Sequence, residues 1–206
     1  MTRVRTLLGL ALVLAVAGGG GSDPVPPDTF YRLKVTSPGQ SAAATALPGV
    51  LLVGALEGDG LVRGRPLLYT NAAEGKAVRQ HNYHHWVDSP ARLVQGQLVA
   101  FLKDSDAARS VVTPGMRVRA DFELIGRIQR LDRIFNTTGT GVVAALEFAV
   151  VRQSDRKLLL VDSYRAEVRT DDDTVGASVQ AMNAALEQIF TTFAIDLGRR
   201  TTVLQR

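Results

Sequence analysis

Six residues from Phe30 to Val35, FYRLKV, alternate ring and aliphatic side chains with polar ones, a period of two that predicts a half-buried strand. Val50 to Leu56, VLLVGAL, is almost continuously apolar, as expected of a strand covered on both faces, and EGDG closes it as a turn. Two further short strands are predicted at Leu67 to Tyr69 and Ala77 to Gln80, around the loop TNAAEGK. At Ser89-Pro90 the period changes. Ser89 is placed as an N-cap and Pro90 at the first helical position, where its missing N–H costs nothing. Leu93, Val94, Leu98, Phe101 and Leu102 then fall on one face of a helix ending about Lys103 or Asp104.

Three longer strands follow. Arg117 to Phe135 places Val118, Ala120, Phe122 and Leu124 on one face and continues as GRIQRLDRIF, where arginines mix with Ile128, Leu131 and Ile134. After NTTGTG comes the apolar Val142 to Arg152, then QSDRK, then Leu158 to Arg169. The links are too short for crossover helices, so the three strands form an antiparallel meander. The last element is a helix in which Val175, Val179, Met182, Leu186, Ile189, Phe190, Phe193 and Leu197 recur at three- and four-residue steps. Asp171 to Asp173 precede it, where carboxylates complement the positive end of the helix dipole, and Gly198-Arg199-Arg200 is its expected stop. The expected architecture is α+β, a mostly antiparallel mixed sheet with two main helices packed on it in a single domain.

Composition agrees: 46% of the 206 residues are hydrophobic and 21% charged, enough for one sizeable core. No apolar run reaches the length of a membrane-spanning helix. The formal charge is +4, but Arg3 and Arg5 contribute to it from the extreme N-terminus. No Lys/Arg run alternates with aromatics as a nucleic-acid groove requires, so no nucleic-acid partner is expected.

The opening MTRVRTLLGLALVLAVA joins a basic segment, an apolar stretch and an A-x-A site, and residues 1–17 therefore read as a cleaved signal peptide. Residues 18–28, rich in Gly and Pro, read as a flexible tether, with the folded domain over 29–200 and a C-terminal tail at 201–206. The predicted location is the periplasm. There is no cysteine, which removes disulfides, thiol nucleophiles and thiolate metal sites.

Candidate chemistry concentrates in HNYHHW, which holds all three histidines, His81, His84 and His85, and the only tryptophan, Trp86. In an extended segment His84 and His85 point to opposite faces and only His81 and His85 share one. No H-E-x-x-H, facial-triad or Cys/His spacing is present, and there is no G-x-S-x-G elbow. No catalytic residue, metal site or cofactor is expected. Tyr83 and Trp86 read as ring anchors ahead of the Pro90 helix, serving packing, a docking surface or both.

The opening strand with Tyr31-Arg32-Leu33, the spacing Tyr83-x-x-Trp86-x-x-x-Pro90 and the long closing helix, in that order, resemble the ABC-type transport auxiliary lipoprotein family. The resemblance runs from Phe30 to about Leu197. It implies a non-enzymatic periplasmic accessory whose partners are an MCE-domain protein and an inner-membrane ABC transporter, moving lipids or other hydrophobic solutes. Tyr83, Trp86 and Pro90 are the partner-binding candidates, a homo-oligomer is left open, and membrane association would have to do without an acylated cysteine. Two alternatives stand beside it: a structural envelope protein with no transporter, and a histidine-dependent periplasmic hydrolase.

Overall fold

In a computed structural model of the chain, residues 25–37, 39, 47–71, 73, 77–137 and 139–204 are described, the side chains of 201–204 excepted. The expected signal peptide and residues 18–24 of the tether lie outside this set. The elements are β1 (Thr29–Tyr31), β2 (Leu47–Val53), β3 (Glu57–Gly58), β4 (Pro66–Asn71), β5 (Val78–Trp86), α1 (Pro90–Asp104), β6 (Ala108–Val112), β7 (Phe122–Asn136), β8 (Gly139–Arg152), β9 (Leu158–Arg169) and α2 (Val175–Leu204).

Strand β7 organises the sheet. One of its edges pairs antiparallel with β8 from Phe122↔Arg152 to Asn136↔Gly139, and β8 pairs antiparallel with β9, which is the expected meander. The other edge of β7 is occupied in series by β2, β3 and β4, all running parallel to it, with Leu51 against Phe122, Glu57 against Arg127 and Leu68 against Asp132. These three short strands are successive pieces of one chain run, interrupted by a 3-10 turn at Gly60–Arg63. β6 extends the sheet beyond β2, and β5 and then β1 extend it beyond β4. The sheet is mixed, as expected, but the parallel pairs along β7 were not foreseen from a pattern of closely spaced strands. Nor was β6, five residues with only a short apolar run.

A bulge explains the mixed pattern of β7. The register with β8 shifts between Ile128 and Arg130, leaving Gln129 as an extra residue. Before it Phe122, Leu124, Gly126 and Ile128 are buried; after it Leu131 and Arg133 continue that face, because one inserted residue inverts the alternation. The strand also begins at Phe122, later than expected, since a 3-10 turn at Pro114–Met116 ends with Arg117 in the left-handed region at φ 52°.

Helix α2 lies on β8 and β9, where Phe193 meets Phe148 with ring centroids 4.9 Å apart. Helix α1 packs beside it through the edge-to-face pair Phe101 and Phe190 at 5.6 Å. Leu186 and Phe190 are fully buried, and the apolar stripe of each helix faces the core as its period required. Pro90 opens α1 as expected, although the Ser89 side chain makes no capping bond; the Asp88 carboxylate accepts from the Ser89 N–H instead, at 2.7 Å. At the other end α2 runs through Gly198-Arg199-Arg200 to Leu204, so the expected helix stop is corrected. A lone glycine lowers helix propensity but does not end a helix whose preceding turns are packed.

Candidate functional site

The three histidines lie inside β5, which is longer than the short strand expected at Ala77 to Gln80. β5 does not keep a simple alternation. Pro66 pairs with His85 but Leu68 with Gln80, so β5 carries extra residues between them and bulges over His81 to His84. The bulge brings His81 and His84 together, edge to face with centroids 5.4 Å apart, while His85 turns to Phe30 and to the Asp28 carboxylate at 3.6 Å. The expected pairing of His81 with His85 is therefore corrected.

His81 and His84 belong to a cluster centred on Arg133 of β7, whose side chain is almost wholly buried. Its Nη1 lies 3.2 Å from His81 Nε2, its Nε donates to Ser178 Oγ at 2.8 Å and its Nη2 donates to the Asp173 carbonyl at 2.8 Å. The guanidinium also covers the Phe135 ring at 4.7 Å. Tyr31 of β1 brings its hydroxyl to 3.0 Å from His84 Nδ1, and Tyr69 of β4 sets its ring 4.8 Å from His81. Residues from β1, β4, β5 and β7 and the start of α2 thus meet around one cation.

This electrostatic setting keeps the imidazoles neutral. Burial, then the Arg133 charge, then His84 lower His81 to about 4. His84 is lowered by the same sequence of burial and Arg133, with His85 third, and burial raises the Tyr31 hydroxyl above its ordinary value. Asp173 completes the anchor: its carboxylate accepts from the Thr140 hydroxyl of β8 while its carbonyl holds Arg133. Thr174 caps α2, its hydroxyl accepting from the Ala177 N–H at 3.1 Å, and Asp172 accepts from the Thr174 N–H at 2.7 Å. The acidic run thus acts as a helix cap and a strap.

Among the described residues no group of three or more His, Asp or Glu side chains stands close enough to hold a metal ion. Arg133 directs an N–H at His81 Nε2, the lone pair that a metal would need. The buried hydroxyl of the cluster, Ser178, reaches the arginine and donates back to the Thr174 carbonyl at 3.0 Å, so it is not poised against an imidazole as a nucleophile would be.

The three partner-binding candidates are separated by burial. Trp86 is 1% exposed, its backbone N–H donating to the Arg65 carbonyl at 2.7 Å and its backbone carbonyl accepting from Arg65 Nε at 3.0 Å. Pro90 is buried too, while Tyr83 is partly exposed. In this fold the indole and the proline pack inside the molecule, and of the trio Tyr83 alone reaches the surface. Arg133 was not singled out as a site residue; only its place among the apolar positions of β7, as an arginine on the core-facing side, could have marked it.

The family model for the ABC-type transport auxiliary lipoprotein component matches residues 31–194, which takes in every element from the end of β1 to most of α2. The chain belongs to this family. A member of the family is an auxiliary part of an ABC transport system, of lipoprotein type. The chain is also similar to a crystal structure of a Xanthomonas campestris protein of the DUF330 family, with a TM-score of 0.74 and 15% identity, over 84% of this chain and 98% of that one. An uncharacterized protein aligns with a TM-score of 0.67 and 14% identity over 84% and 99% of the two chains. A hypothetical protein from Chlamydia trachomatis follows at 0.51 and 8%, over 75% and 98%. At such identities the likeness is one of fold. No curated protein matches the chain.

Proposed function

We propose that this auxiliary component works in the periplasm, without catalysing a reaction, beside an MCE-domain protein and an inner-membrane ABC transporter that move lipids or other hydrophobic solutes. The observation that carries the reading is the family match over 31–194, which spans the folded unit rather than a fragment of it. The candidate cluster supports it from the side of chemistry. His81 and the Ser178 hydroxyl are engaged with Arg133, which ties β7 to the start of α2, and His84 is engaged with Tyr31, which is the work of a scaffold. Export to the periplasm rests on the signal-like opening of the chain.

We assign partner contact within the Tyr83, Trp86 and Pro90 trio to Tyr83. Co-purification of the natural chain with the permease, the ATPase and the MCE-domain protein from solubilised envelopes tests the reading. All three should be recovered, and Tyr83→Ala should lower their yield without lowering Tm. Recovery of none of them, from cells in which all are expressed, would favour a structural envelope protein. N-terminal sequencing of the mature chain should begin at Gly18.

A further inference from the structure

At the end of the sheet opposite Arg133, the start of β7, the end of β8, β2 and β6 enclose an open cleft of about 460 Å³. Three arginines line it: Arg109 of β6, Arg119 of the segment before β7, and Arg152 of β8. Arg152 is held by Asp155 through two bonds of 2.9 and 2.7 Å. Arg109 and Arg119 are exposed and have no carboxylate partner among the described residues. Asp121, the acidic residue of the lining, is exposed as well; its carboxylate accepts from the Val50 N–H at 2.8 Å on the cleft floor, so two unpaired cations stand against one hydrogen-bonded carboxylate.

That floor is fixed. The Asp121 N–H donates to the Val50 carbonyl at 2.9 Å, and the Asp121 carbonyl accepts from the Gln153 N–H at 2.8 Å, so one residue joins β2 to the loop after β8. Gly49 leaves room for the Asp121 carboxylate, since a Cβ there would have to displace that side chain. A rigid floor below two unpaired guanidinium groups suits a phosphate group, since the planar fork of arginine matches phosphate oxygens in pairs. The chain leading into Arg119 adds a second kind of surface. Met116 and Val118 are 52% and 53% exposed, apolar side chains set beside cations, which is the composition of a segment that enters the boundary between headgroups and acyl chains.

We infer that this cleft docks the protein on an anionic bilayer surface, with Arg109 and Arg119 receiving a lipid phosphate and Met116 and Val118 entering the interface beside it. The inference rests on charge and shape at the sheet end and does not depend on which transporter the chain serves. A membrane source of the phosphate is favoured over free phosphate because the cleft is larger than the ion and the exposed apolar pair would have no role with a dissolved anion.

The test is co-sedimentation of the natural chain with vesicles of mixed phosphatidylglycerol and phosphatidylcholine, beside vesicles of phosphatidylcholine alone, with inorganic phosphate followed separately by NMR shifts. The wild type should pellet with the anionic vesicles and much less with the neutral ones, and high salt should weaken the binding. Arg109→Gln/Arg119→Gln should lower the vesicle affinity about tenfold or more. Met116→Ser/Val118→Ser should lower it several-fold, with salt dependence retained. Reversal of two exposed charges elsewhere, Arg32→Glu/Lys103→Glu, is the control and should cost less than the cleft variant. No binding by the wild type, equal binding to neutral vesicles, or an equal loss in the control would overturn the inference. Saturable binding of inorganic phosphate without vesicle binding would overturn its membrane part. Circular dichroism of each variant against the wild type keeps a loss of fold from passing as a loss of site.

Discussion

The two ends of β7 treat arginine in opposite ways. Near its C-terminal end Arg133 is enclosed, with Ser178, His81, the Asp173 carbonyl and the Phe135 ring around it. Beyond its N-terminal end Arg109 and Arg119 stand in an open cleft. A buried cation is tolerated only when its donors are satisfied, and once satisfied it has nothing left to offer a ligand. An exposed, unpaired guanidinium contributes little to stability and keeps all its donors. One end therefore holds the fold and the other is available to bind, although the residue type is the same.

The sharpest way to break this contrast is to remove packing that both ends share. Trp86→Ala and Phe190→Ala each delete a fully buried ring and should cost ~3–5 kcal/mol in denaturant unfolding. A cost below about 1 kcal/mol for Trp86→Ala would return the indole to the surface role that its sequence context also allowed. Next in size is Arg133→Leu, which leaves the Asp173 carbonyl without this donor and frees the start of α2, and should cost ~2–3 kcal/mol.

The pH dependence of stability sharpens the same end. Folded His81 stays neutral down to about pH 4, while in the unfolded chain it takes up a proton near its ordinary 6.5. Between those values the unfolded state binds more protons, so this contribution is complete above about pH 6.5 and is lost as the pH falls toward 4. The loss should be on the order of 2 kcal/mol, allowing for a ring that is only partly buried. His81→Phe should flatten that part of the profile, and an unchanged slope would mean that the ring is solvated. The smallest effect belongs to the open end: Arg109→Gln/Arg119→Gln should leave stability within about 0.5 kcal/mol of the wild type. A large loss there would mean that these arginines are structural after all.

What could be read from the chain divides along physical lines. The helices and the meander were legible because each buries one face and its period repeats over many residues, as in Val175 to Leu197. In β7 the three-residue step from Ile128 to Leu131 carried the bulge in plain view, as a break in a period of two. The parallel pairing of β2, β3 and β4 left no such trace, because partner choice depends on residues far along the chain. VLLVGAL was expected to be covered on both faces, yet β2 alternates buried with exposed or half-buried positions, since apolar content alone does not say how many faces are covered. The site was less legible than the fold. HNYHHW was visible as a cluster, but the bulge that pairs His81 with His84 and the arginine 52 residues away that sets their charge were not.

The serial pairing along one edge of β7 has a consequence for how the molecule assembles. β7, β8 and β9 meet through two tight connections, so their contacts are local and cheap in chain entropy. The pieces on the opposite edge close much larger loops; Thr70 finds Asp132 62 residues along the chain. High contact order slows folding, and the meander with α2 is expected to form first, as a template on which the run from β2 to β4 is laid down afterwards. Until that happens one edge of β7 is bare, with its backbone donors and acceptors open to any strand that arrives. The interval between the two steps is when a crowded chain of this kind is most exposed to pairing with a neighbour instead of with itself.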